Sequence, residues 1–132
     1  MPTIVRRSNL SVMENRREIV HTLSWRVQSI LWSPPTDLSE STDAFVVRVE
    51  IAGMREQDFN VVLENDVLTI SGSRTDPAER RAFHQMEIRF GKFATAVALP
   101  SPVEVDQAHA EYKDGFLTVT LPKTGRTSLE DK

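Results

Sequence analysis

From Asn15 to Leu31 the apolar residues Ile19, Val20, Leu23, Val27, Ile30 and Leu31 recur at helical spacing, with Arg16, Arg17, Glu18 and Gln28 in the polar remainder. This spacing predicts an amphipathic helix over about 15–31. Pro34 and Pro35 follow; they remove backbone donors and bias the residue before them away from helical geometry. The chain is therefore expected to divide into an arm, residues 1–33, and a domain beginning at 34. Past Pro35 the apolar period falls from near 3.6 to 2. Phe45, Val47, Val49 and Ile51 alternate with Val46, Arg48 and Glu50 until Ala52-Gly53 breaks the run. Phe59, Val61 and Leu63 repeat the pattern, as do Leu68 with Ile70, Met86 with Ile88 and Phe90, and Leu117 with Val119 and Leu121. Each set directs one apolar face toward a core.

Short strands with frequent punctuation predict an antiparallel β-sandwich rather than alternating strand–helix units. Glu64-Asn65-Asp66 and Lys113-Asp114-Gly115 separate pairs of apolar runs, and Asn, Asp and Gly tolerate the positive φ angles of a tight hairpin. Strand 59–64 should pair with 67–72, and 108–112 with 116–121. The segment from Arg74 to Arg81 contains Asp76, Pro77, Glu79, Arg80 and Arg81, and reads as a solvated excursion out of the sheet. The domain is expected to run over 34–123, followed by a short flexible tail, 124–132.

A chain of 132 residues has enough sequence for one core. Without cysteine it has no disulfide framework or thiolate metal site, which fits a reducing compartment. The opening Met1 to Arg7 lacks the apolar run of a signal peptide, so the protein is expected to be soluble and cytoplasmic. Its net charge of -3 is uneven: residues 1–31 carry five arginines against two glutamates, leaving the remainder at -6. An acidic body argues against a nucleic-acid face. Two acids among the five arginines also make the arm a poor binder of lipid surfaces.

Catalysis has little to draw on. His21, His84 and His109 fall in separate elements, and His84 and Glu87, three positions apart on a strand, would point to opposite faces. The sequence contains no Gly-x-Ser-x-Gly elbow, phosphate-binding glycine loop or Asp-rich calcium loop. No catalytic, metal or cofactor site is expected, and no cofactor.

Several blocks carry a resemblance: Pro35-Thr36-Asp37-Leu38-Ser39-Glu40, Val49-Glu50-Ile51-Ala52-Gly53-Met54, and Val67-Leu68-Thr69-Ile70-Ser71-Gly72. Two more are Glu87-Ile88-Arg89-Phe90-Gly91-Lys92-Phe93 leading to Leu99-Pro100, and Ala110-Glu111-Tyr112-Lys113-Asp114-Gly115-Phe116-Leu117 followed by Thr118 to Pro122. Over about 35–123 the chain resembles the α-crystallin domain of the small heat-shock protein family. The resemblance implies an immunoglobulin-like all-β sandwich, a dimer as building block, and ATP-independent binding of unfolding proteins. Two departures stand out. Where family members commonly carry an arginine five residues before the proline of Leu99-Pro100, this chain has Thr95. The tail, from Thr124 to Lys132, offers only Leu129 in place of the family's paired aliphatics, so assembly is expected to depend on the arm, where Ile4-Val5 and Leu10-Ser11-Val12 are the branched candidates.

The resemblance places Phe59, Val61 and Leu63 near Val97 and Leu99 as an edge groove for an extended peptide; the same five positions also read as ordinary core. In the arm, Trp25, Ile30, Leu31 and Trp32 are candidates for client or assembly contacts, or for permanent packing of the helix on a partner. Dimer contacts are expected from Arg80, Arg81, Phe83 and His84, with the excursion reaching a second subunit. Expected partners are unfolding proteins and the chain itself. The alternative is a non-catalytic adaptor or co-chaperone that docks one defined partner.

Overall fold

The computed structural model describes residues 4–6, 31–76 and 82–125. The strands are β1 (Ile4–Arg6), β2 (Thr36–Glu40), β3 (Ala44–Glu50), β4 (Phe59–Glu64), β5 (Val67–Arg74), β6 (Gly91–Ala98), β7 (His109–Lys113) and β8 (Phe116–Pro122). They form two four-stranded sheets, ordered β1-β4-β5-β6 and β2-β3-β8-β7. Every neighbouring pair is antiparallel except β1 and β4, which run parallel.

The period-2 pattern explains the layers. On β3 Phe45, Val47 and Val49 are buried while Arg48 and Glu50 are exposed, and their partners Leu121, Val119 and Leu117 on β8 are buried with them. Phe59, Val61, Leu63, Leu68, Ile70 and Phe93 from the other sheet complete the same cluster. Each large apolar side chain removed from water contributes roughly 1.5–3 kcal/mol, so two inner faces meeting here account for the sandwich. The hairpins are as tight as their residues suggest: Asn65 and Asp66 take φ of 49° and 62°, and Asp114 and Gly115 take 53° and 83°. Positive φ at both central positions matches the twist of the flanking strands.

Polar pairs close the rims. The Thr36 and Thr95 hydroxyls lie 2.7 Å apart and join β2 to β6 across the two sheets. Thr95, which stands where the related family commonly has arginine, is thus buried with its hydroxyl satisfied. At the other end the buried Lys123 ammonium reaches Glu40 Oε2 at 2.5 Å and lies 5.1 Å from the Phe45 ring centroid. Removing Glu40 would leave that charge shielded from water without its carboxylate.

One expected strand is absent. Residues 82–90 form no strand, and Met86 and Ile88 are 59 % and 65 % exposed while Phe90 is half-buried. The alternation of Met86, Ile88 and Phe90 defines an apolar face, but a strand also needs a neighbour for its backbone groups, and neither sheet gives this segment one. The helix expected over 15–31 lies outside the described residues except for Leu31, as do Trp25, Ile30, Arg80 and Arg81.

Candidate functional site: the edges of the β1-β4-β5-β6 sheet

The amino-terminal segment lies on the outer edge of β4, with Ile4 opposite Val61, Val5 opposite Val62 and Arg6 opposite Leu63. Cross-strand partners share a face of the sheet, so Ile4 points inward beside Val61 and packs, half-buried, on the core. The opposite edge of the sheet is covered by the same amino-terminal region. Trp32 bridges Phe93 on the free side of β6, donating its backbone N–H to the Lys92 carbonyl at 3.3 Å and accepting from the Ala94 N–H at 3.1 Å. Unpaired edges invite added strands; here both edges of one sheet are occupied, while β2 and β7 end the other sheet.

Phe59, Val61, Leu63 and Leu99 are buried in the core, and Val97 packs half-buried against it. The five residues do not come together as the walls of one groove, because β5 lies between β4 and β6: Leu63, Leu68 and Val97 form a single row across three strands. What β4 presents at its edge is backbone. The facing wall comes instead from β7, through Tyr112, whose ring centroid lies 5.1 Å from that of Phe59. The Tyr112 hydroxyl donates to the Ile51 carbonyl at 2.7 Å and accepts from the Met54 N–H at 3.3 Å. Sequence reasoning missed Tyr112; its signal was its register opposite Leu117 in the second hairpin. Beyond the β1 contact, Glu64 has a buried carboxylate oxygen without a hydrogen-bond partner.

Leu31 and Trp32 are half-buried. The Trp32 ring lies 5.6 Å from that of Phe93, its indole N–H approaches the Gly91 carbonyl at 3.4 Å, and the Arg74 guanidinium sits 4.6 Å from its centroid. Trp32, assigned with the arm on sequence, is therefore attached to the sandwich. Phe83 and His84 are exposed. Phe83, Met86 and Ile88, with Leu38 on the β2 edge, are the exposed large apolar side chains among the described residues. Among those residues no group of three His, Cys, Asp or Glu side chains could hold a metal ion, and no helix is long and apolar enough to cross a membrane.

Residues 37–131 match the Hsp20/alpha crystallin family. Small heat shock protein C2 of Rickettsia felis is 30 % identical over 92 residues, covering 68 % of this chain and 60 % of that protein. The matched stretch of Spore protein SP21 of Stigmatella aurantiaca, 35 % identical, is 54 % of that protein's length against 68 % of this chain. The chain thus spans less than two thirds of these relatives. Among solved structures, Heat shock protein 16.0 from Schizosaccharomyces pombe superposes with a TM-score of 0.66 at 33 % identity, covering 71 % of this chain and 89 % of that one. HspA from Xanthomonas axonopodis gives 0.65 at 28 %, covering 70 % and 95 %. The two-sheet sandwich, the sequence blocks within it and the extent of the match agree, and the chain belongs to the Hsp20/alpha crystallin family.

Proposed function

We propose that the protein is an ATP-independent holding chaperone, which captures unfolding polypeptides in the cytoplasm and has no catalytic role. Unfolding chains expose apolar surface and unpaired strand edges that associate faster than they refold. The observation that carries the reading is the docking of Ile4–Arg6 on β4: an edge that accepts three residues of extended chain in register can accept a client segment by the same backbone bonds. Phe83, Met86 and Ile88 add exposed apolar surface nearby in sequence, suited both to clients and to a second copy of the chain. We assign self-association to these residues and to the β2 edge, where Leu38 is exposed. Weak, multiple contacts let clients leave without nucleotide.

Equimolar protein, without nucleotide, should suppress heat-induced turbidity of several unrelated proteins, and sizing of the same samples should give a dimer or a multiple of it. Protection of one client alone would favour a dedicated adaptor. Unchanged turbidity for all of them would overturn the reading.

A further inference from the structure

We propose that Arg74 is a positioning residue that couples the attachment of the arm at Trp32 to the placement of the exposed 82–90 segment. The inference rests on the chaperone reading only in giving those two segments a use. Arg74 is the last residue of β5, where the chain leaves the sheet. Its Nη1 donates to the Ala52 carbonyl at 3.2 Å, and its Nε donates to the Arg89 carbonyl at 2.9 Å, joined there by Nη2. The guanidinium carbon lies 4.6 Å from the Trp32 ring centroid and 5.5 Å from that of Phe90. One side chain thus holds the turn after β3, the root of the arm and the return of the excursion.

The chemistry is particular to arginine. A planar guanidinium spends its donors in the plane on carbonyls and leaves its faces for aromatic rings. A lysine has a compact ammonium and could not serve both sets at once. The two segments are separated by an open cleft of about 610 Å³, lined by Trp32, Met86, Glu87, Ile88, Arg89 and Phe90. Arg74 touches both sides of that space, beside the approach of the Trp32 indole N–H to the Gly91 carbonyl, so a shift of the Arg89–Phe90 backbone moves the cation under Trp32. Such coupling is reciprocal: freeing Trp32 loosens the hold on residues 89–90, and drawing 82–90 onto another molecule loosens Trp32.

Native-state hydrogen exchange on the full chain tests this at the Ala94 amide, whose acceptor is the Trp32 carbonyl. Phe90→Ala should lower protection at Ala94 by about two- to fivefold, the factor expected for one cation–aromatic contact, and leave Ile70 in the central strand unchanged. Arg74→Gln should lower it at least as much, and adding Phe90→Ala to Arg74→Gln should change nothing further. Arg74→Lys, which keeps the charge, should not restore the response to Phe90→Ala, and it serves for the same cycle if the glutamine variant does not fold. An equal effect of Phe90→Ala with and without Arg74, or no effect at Ala94 in either, overturns the coupling. Turbidity assays on the unaltered chain report on the chaperone reading separately, since they do not depend on the outcome at Ala94.

Discussion

A methyl group at Gly72 would have nowhere to go. An added Cβ would fall 2.7 Å from the Asp58 carbonyl oxygen and 2.9 Å from Cζ of Phe93. The Phe93 ring cannot swing aside, since Phe59 meets it edge-on at 6.2 Å and Trp32 covers it at 5.6 Å. Gly72→Ala should therefore destabilise the sandwich by about 1–3 kcal/mol through overpacking, read as a lower urea midpoint at unchanged slope; an unaltered midpoint would mean that the β4–β5 pairing opens without strain. The sequence marks this glycine only as the end of the run Val67 to Gly72. Its reason lies in Asp58 and Phe93, which are distant along the chain, so no local pattern could supply it. The hairpin residues are the contrary case. Asn65, Asp66, Asp114 and Gly115 state their conformation directly, because the preference for positive φ belongs to the residue itself.

Among elements, β1 is the least legible and the most consequential. Three residues, Ile4-Val5-Arg6, are too few to establish a period, and their place on β4 follows from a match of inward aliphatic to inward aliphatic across a parallel register. Ile4→Asp would set a charge against the core and should dislodge the strand, because an unpaired carboxylate is costly where Ile4 packs. A labelled peptide of residues 2–8 should then bind the variant at least about tenfold more tightly than the unaltered chain, whose edge is already filled; equal anisotropy titrations would show that β1 leaves the edge free in solution. The longer strands were readable because alternation and burial coincide on β3, β4, β5 and β8. Residues 86–90 show where that logic stops: period reports which face is apolar, and says nothing about whether a neighbouring strand exists to receive the backbone.

At the scale of the whole molecule, Trp32 moves the working limit of the sandwich to before Pro34-Pro35. A chain lacking residues 1–30 keeps the Trp32–Phe93 contact, whereas one lacking 1–33 loses it together with two backbone hydrogen bonds. The aromatic pair alone is worth about 1 kcal/mol, so the shorter chain should melt about 4–8 °C below the longer one. Coincident melting curves by circular dichroism would place the limit at the prolines after all.

The arm touches both ends of one sheet, and this leaves a measurable slack. Arg6 stands opposite Leu63 at one edge and Trp32 opposite Phe93 at the other, and with strand steps of about 4.8 Å and a rise of about 3.3 Å per residue these points are on the order of 25 Å apart. The 25 residues from 7 to 31 can reach on the order of 80 Å when drawn out. The number of residues alone therefore does not dictate which copy's β4 the segment Ile4–Arg6 must reach. Were two copies side by side, Ile4–Arg6 of one would meet the same backbone groups on β4 of the other, and a swapped arrangement of that kind would be favoured over the closed one by raising the concentration of subunits.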